Sequence, residues 1–374
     1  MKLEDQCGGA VMADIAQKRG RDLGLPFPGS PGAHNSITDV AGVEVGTVTL
    51  ISGEGPLVVG QGPVRTGVTA ILPRGRAKAA IPCAAGYYAL NGNGEMTGVV
   101  WIEESGELET PITITNTHSC GVTRDATIRW LVAQGADRAQ DWGLPVAAET
   151  YDGELNDING FHVTAEHAIA ALDGARGGPV ELGSAGGGTG MICYDFKGGN
   201  GSASRKVFVG GQSYAVGVFL QANFGAREQL TVLGVPVGQH ITHDKLRHKD
   251  AGSVIVIVAT DAPLLAHQLK RIARRVPMGL ARTGTVGNNS SGDIFLAFST
   301  ANEAAFAGKG HARNMEFLSN TSLDQLFQAT VEAVEEAVID AMVVNQTMVG
   351  RDGNRSIALP HGDVIALMRK YGRM

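Results

Sequence analysis

The stretch Gly252-Ser-Val-Ile-Val-Ile-Val-Ala-Thr260 decides how this chain is read. Val254 to Val258 are all β-branched, with no polar side chain among them. Such a run is a buried strand. The residues before it, HITHDKLRHKDA (240–251), are polar and charged and read as an exposed loop. Directly after it, Asp261 and Pro263 are start signals for a helix over 262–276.

Working outward, other strand-like runs fall at 43–50, 67–72, 99–102, 112–115, 214–220, 230–235 and 294–298. Helical spacing appears at 123–132, and at 164–172, where Thr164 is a plausible cap and Gly174 a stop. The strongest helix spans 323–349. Ser322 and Gln325 form a capping box there, and Leu323, Leu326, Phe327, Val331, Val334, Val338 and Met342 share one stripe. A last helix spans 363–371. Strands and helices alternate too irregularly for a Rossmann or barrel fold. Two central sheets covered by helices suit the count better, because every sheet face must be buried against something. No linker divides the composition, so 1–374 is expected to be one domain, with residues 1–20 a loosely ordered leader.

The composition excludes several classes. Of 374 residues, 43% are hydrophobic and 18% charged, and 52 are glycine, which suits tight turns in a compact α/β protein. The formal net charge is −6 and the longest basic cluster is Lys270, Arg271, Arg274 and Arg275, which argues against nucleic acid as a partner. Cys7, Cys83, Cys120 and Cys193 form no CxxC pair, so free thiols in a reducing compartment are expected rather than zinc or disulfides. No signal peptide or membrane span is readable, and the expected location is the cytoplasm, away from membranes. His240, His243 and His248 lack acidic or cysteine partners for a metal site.

The border between loop and strand also carries chemistry. A serine hydroxyl needs a base to take its proton, and a free α-amino group on the same residue, with a pKa of about 7.7–8.0, can serve. Cleavage between Gly252 and Ser253 would create that amine, and glycine leaves the attacked carbonyl unshielded. Gly-Ser steps also occur at Gly29, Gly183 and Gly201, so the dipeptide alone is a very weak signal and reads as an ordinary loop serine. In GNNSSGDIF, Ser291 and Asp293 stand at the mouth of an apolar strand, where one could bond a nucleophile's amine and the other a substrate cation. They could equally cap their own turn. In AETYDGELND, Glu149 could anchor an ammonium and Tyr151 donate to an oxyanion, or the segment is a polar turn. Asn223, ending a strand, could also donate to an oxyanion. The run Gly186-Gly-Gly-Thr-Gly190 matches no phosphate-loop pattern and reads as a packed structural turn.

Together these segments resemble the L-aminopeptidase/D-esterase family, which includes the β-peptidyl aminopeptidases. The resemblance runs from RDLGLPFPG (21–29) nearly to the terminal RKYGR. It is carried by NSITDVAGVEVG (35–46), GVTAILP (67–73), NGNGEMTG (91–98), ITNTH (114–118), ETYDGELNDING (149–160), GGGTGM, GVPVGQH (234–240), ATDAPLLAHQLKRIARR (259–275) and NSSGDIFLAFSTAN (289–302). It implies an αββα four-layer sandwich resembling N-terminal nucleophile hydrolases but with different connectivity. It implies self-cleavage into 1–252 and 253–374, with Ser253 as nucleophile, Ser291 as helper and Asp293 as neighbouring acid. Asn223 and Tyr151 fall on the oxyanion donors, and Glu149, with Asp293, on the acids binding the substrate amine. An aspartate at 293 resembles the α-aminopeptidase branch more than the β-peptide branch.

The expected function is therefore release of a small N-terminal residue from a short peptide, amide or ester. It needs no metal or organic cofactor and would be carried out by a homo-oligomer of cleaved pairs. Two alternatives remain open on sequence: an acyltransferase in which an amine replaces water, and a non-enzymatic binder using Gly186 to Gly190.

Overall fold

The computed structural model describes residues 18–135, 142–246, 252–308 and 311–374. Ser253–Thr260 forms a strand buried at every position. Ile255, Ile257 and Ala259 enter one apolar core, while Val254, Val256 and Val258 enter another. Successive strand side chains point to opposite faces, so this division alone requires a packed layer on each side.

In chain order the strands are β1 (Glu44–Ser52), β2 (Val64–Leu72), β3 (Cys83–Ala89), β4 (Glu107–Leu108), β5 (Ile112–Asn116), β6 (Val146–Thr150), β7 (Ile192–Cys193), β8 (Phe196–Lys197), β9 (Gly199–Val209), β10 (Gln212–Asn223), β11 (Ser253–Thr260) and β12 (Gly292–Ser299), followed by the small pair β13 (Met348–Val349) and β14 (Arg355–Ser356). The helices are α1 (Val99–Ser105), α2 (Cys120–Gln134), α3 (Ala165–Asp173), α4 (Val237–His240), α5 (Ala266–Ala273), α6 (Val276–Arg282), α7 (Glu303–Ala307), α8 (Asp324–Val343) and α9 (His361–Lys370). One sheet has the order β1-β2-β5-β6 and the other β4-β3-β12-β11-β10-β9.

Ile71, Ile112, Ile114 and Val146 of the smaller sheet meet Ile255, Ile257, Leu296 and Phe298 of the larger, so the sheets face each other. Val256 and Phe295 on the far side of the larger sheet pack with Leu269, Leu280, Val334 and Val338 of α5, α6 and α8. Val68, Ala70 and Leu72 on the far side of the smaller sheet pack with Ala126, Trp130, Ala168 and Leu172 of α2 and α3. The layers run helix, sheet, sheet, helix, as expected. No helix among the described residues is long and apolar enough to cross a membrane.

Several local expectations fail for identifiable reasons. Residues 99–102, read as a strand, open helix α1, which buries Ile102 and is tied by a bond from Trp101 Nε1 to Glu109. Residues 230–235 form a turn closed by the pair Val232 and Val235. The helix read as 262–276 is two, α5 and α6. Helix α8 stops near Val343 rather than Gly350, because Asn345 turns its amide back onto the Ala341, Lys197 and Gly198 carbonyls. Its start uses no Ser322–Gln325 box, since a 3₁₀ turn over Asn320–Ser322 intervenes. Arg19 and Gly20, assigned to the leader, bond to Asp340, while residues 1–17 lie outside the described residues. Cys83, Cys120 and Cys193 are buried free thiols, and Cys7 lies outside the described residues.

Candidate active site

Strand pairing gathers the site at one end of the larger sheet. β11 and β12 run parallel with Ser253 level with Gly292. β10 runs antiparallel to β11 and ends with Asn223 level with Ser253. Ser253 is buried, and its hydroxyl accepts the Gly292 N–H at 3.2 Å. Ser291 and Asp293 flank Gly292 and are joined to each other, the Ser291 hydroxyl donating to Asp293 Oδ1 at 2.5 Å. Gly252 lies flush against the neighbouring strand: a Cβ there would sit 1.6 Å from the Asn223 carbonyl oxygen. Only glycine fits before Ser253, for a packing reason the dipeptide did not disclose. Of the loop before it, His243 to Lys245 are exposed as expected, and 247–251, with His248, lie outside the described residues.

The smaller sheet supplies the facing acids. Gln221 of β10 donates to the Thr115 carbonyl at 3.0 Å and the Thr150 hydroxyl at 2.8 Å, which fixes the end of β6 over β10. Glu149 is buried; its Oε1 accepts the Glu95 N–H at 2.9 Å and its Oε2 the Thr117 hydroxyl at 2.5 Å. Burial raises its pKa, and those two hydrogen bonds only partly oppose the rise. Asn223 Nδ2 donates to the Tyr151 carbonyl at 2.7 Å, and its Oδ1 accepts the Ile192 N–H at 2.9 Å. Tyr151 contributes its backbone to this contact, whereas its half-exposed side chain curls over Gly153.

One segment joins the two halves and was not assigned a role from the sequence. Asn91 Oδ1 accepts the Asp293 N–H at 2.7 Å, and Asn93 Nδ2 donates to the Ser290 carbonyl at 2.6 Å. Two residues on, the Glu95 N–H holds Glu149. The stretch 91–95 therefore spans from Asp293 to Glu149. Its available signal was the density of Asn and Gly directly after an apolar strand. Thr117 was likewise passed over, and His118 is exposed, stacking on Phe161 at 6.0 Å.

The glycine run 186–190 holds nothing open. It is buried, and a Cβ on Gly187 would lie 2.2 Å from Gln221 Oε1 and 2.5 Å from the Ile114 carbonyl. It serves as a packed turn between the sheets, as read, and the binder alternative loses its site. No group of three or more histidine, cysteine or acidic side chains among the described residues could hold a metal ion.

The αββα sandwich is that of hydrolases described as a variant of the N-terminal nucleophile fold. The solved L-aminopeptidase D-Ala-esterase/amidase of Ochrobactrum anthropi, described as a new variant of that fold and a prototype of the serine aminopeptidases, superposes with a TM-score of 0.90 at 48% identity, covering 95% of this chain and 99% of that one. A Burkholderia sp. β-aminopeptidase superposes with a TM-score of 0.87 at 46% identity, over 95% and 99%. The β-peptidyl aminopeptidase BapA of Sphingosinicella microcystinivorans is 50% identical over 98% of this chain and 96% of its own. The sequence pattern of peptidase family S58 matches residues 35–356, and the chain belongs to that family. It is a peptidase.

Proposed function

We propose that the chain is a self-cleaving serine aminopeptidase that releases small N-terminal residues from short peptides, amides or esters. In the first step the Ser253 hydroxyl attacks the Gly252 carbonyl. The Gly252–Ser253 C–N bond breaks as the ester forms, which frees the Ser253 amine, and water then hydrolyses the ester, releasing residues 1–252 with a Gly252 carboxylate and restoring the hydroxyl. In turnover that amine takes the hydroxyl proton as Ser253 attacks the substrate carbonyl. Asn223 and Tyr151 steady the oxyanion, the leaving amine departs with the proton, and water hydrolyses the acyl-enzyme. Glu149 and Asp293 hold the substrate ammonium, and Ser291 supports the free amine. The cleaved pairs assemble as a homo-oligomer in the cytoplasm.

The observation carrying this reading is the register that sets Ser253 level with both Asn223 and Gly292, beneath a glycine that nothing larger could replace. Intact mass spectrometry tests it. The wild type is expected as two fragments, the smaller beginning at Ser253, and Ser253→Ala as one chain whose peptidase rate falls by at least ~10³-fold. An intact wild-type chain with full activity refutes the reading. Comparing L-alanyl with β-alanyl amides decides the substrate branch, and Asp293 favours the α-amino substrate.

A further inference from the structure

Lys197 resists explanation as packing. Its side chain has no exposed surface, and among the described residues it forms no ion pair with a carboxylate. Its Nζ instead donates to two neutral carbonyls, Met191 and Gly198, each at 2.8 Å. Burial pushes its pKa down to about 7. A neutral donor would bond the same carbonyls without the desolvation of an ammonium. The Met191 carbonyl also accepts the Gly198 N–H at 3.0 Å, so shortage of donors does not call for a lysine.

The Met191 carbonyl shares its peptide group with the Ile192 N–H, and that N–H donates to Asn223 Oδ1 at 2.9 Å. The Asn223 amide is thereby oriented from both ends. An N–H can face only its oxygen, and the Tyr151 carbonyl at 2.7 Å can face only its nitrogen. A donor at the oxygen end of a peptide group, most strongly in its charged form, draws electron density from the N–H at the other end and strengthens that donor. The same polarisation passes through the next amide, so the Asn223 Nδ2 hydrogens become better donors in turn.

We propose that Lys197 is a positioning residue for peptide cleavage: acting through the single Met191–Ile192 peptide group, it orients and polarises the Asn223 amide toward the developing oxyanion. This rests on the role given to Asn223 above. Lys197 itself meets no substrate and acts through Asn223.

A double-mutant cycle tests that route. Asn223→Ala, Lys197→Met and the double variant are compared with wild type on L-alanyl p-nitroanilide, with rates expressed per mole of cleaved chain. Asn223→Ala is expected to lower kcat by ~10²-fold. Lys197→Met is expected to lower kcat by about tenfold with KM within about twofold, since only transition-state binding is lost. In the Asn223→Ala background, Lys197→Met should then cost less than about twofold. Losses that multiply in the double variant overturn the role of Lys197 and leave that of Asn223 standing. An undiminished kcat in Asn223→Ala overturns the oxyanion assignment, and the proposal with it. If Lys197→Met does not fold, Lys197→Gln, which keeps one donor without the charge, runs the same cycle.

Discussion

On helix α8, Glu336 and Asp340 are fully buried against guanidinium groups, whereas at the end of β6 Glu149 is buried against neutral donors. Glu336 meets Arg21 and Arg205, each at 2.7 Å, and Asp340 meets Arg19 at 2.6 Å. Burial pushes Glu336 upward, but its bonds from Arg21 and Asn35 and the charge of Arg205 outweigh it and leave the carboxyl below its ordinary range. Asp340 meets Arg19 and has Glu336 one turn away, so burial outweighs the guanidinium and leaves it raised to about 6. Glu149 has the Thr117 hydroxyl and the Glu95 N–H, and its pKa stays raised. Asp152, three residues on, is buried and raised to about 7, with Asn156 donating to it at 3.0 Å. An acid neutralised by arginine is part of the frame. An acid buried without one is destabilising until a cation arrives, which is what an ammonium-binding site requires.

The comparison can be broken most sharply on α8. Glu336→Ala leaves Arg21 without its carboxylate and Arg205 with Glu332 at 3.5 Å as its remaining acid, and is expected to lower unfolding free energy by ~3–5 kcal/mol, read from urea midpoints, with KM unchanged in the folded fraction. Glu149→Gln should do the reverse: stability is kept or gained, while KM for L-alanyl amides rises roughly 10–100-fold, the worth of a hydrogen bond to a charged group. An ester lacking the amine should show no such rise. Because burial raises the pKa of Glu149, KM for amino substrates should also climb on acidification at a higher pH than an ordinary glutamate would give.

Asp152 tests the neutral-donor side by linkage. Its folded pKa of about 7 exceeds the ordinary value of about 3.9, so between those limits the folded state keeps a proton that the unfolded chain has released. Wild-type stability therefore falls as pH rises through that window. Asp152→Asn removes the fall, and its unfolding free energy relative to wild type, read from urea midpoints, should improve by about 3 kcal/mol between about pH 4.5 and about pH 8. The smallest effect expected is for Thr117→Val, which removes one hydroxyl from Glu149 and should raise KM about fivefold.

How much was legible follows the same division between local and distant causes. β11 was readable because an unbroken β-branched run has few alternatives to a doubly buried strand. α3 was readable from its Thr164 start and Gly174 end. β9 was missed because Gly199 to Arg205 are small or polar; they are buried by α8, which no neighbouring residue announces. The single apolar stripe read on α8 became a helix buried almost all round, because the chain near Arg19 and Arg21 folds back over its acidic side. The site residues were named through motif resemblance. Asn91, Thr117 and Lys197 were not, since each acts on a partner distant in the chain or through an intervening backbone group.

By itself, the sequence determined that Ser253 begins a buried strand, that two sheets need helical cover, and which motifs travel together. Those properties are written in side-chain periodicity and order along the chain. Only the tertiary structure decided that Gly252 must be glycine, that Asn223 and Gly292 stand level with Ser253, and that Glu149 is buried away from arginine while Glu336 is not. Strand register depends on residues tens of positions apart and the charge neighbouring a buried acid on residues hundreds apart, and no local pattern encodes them.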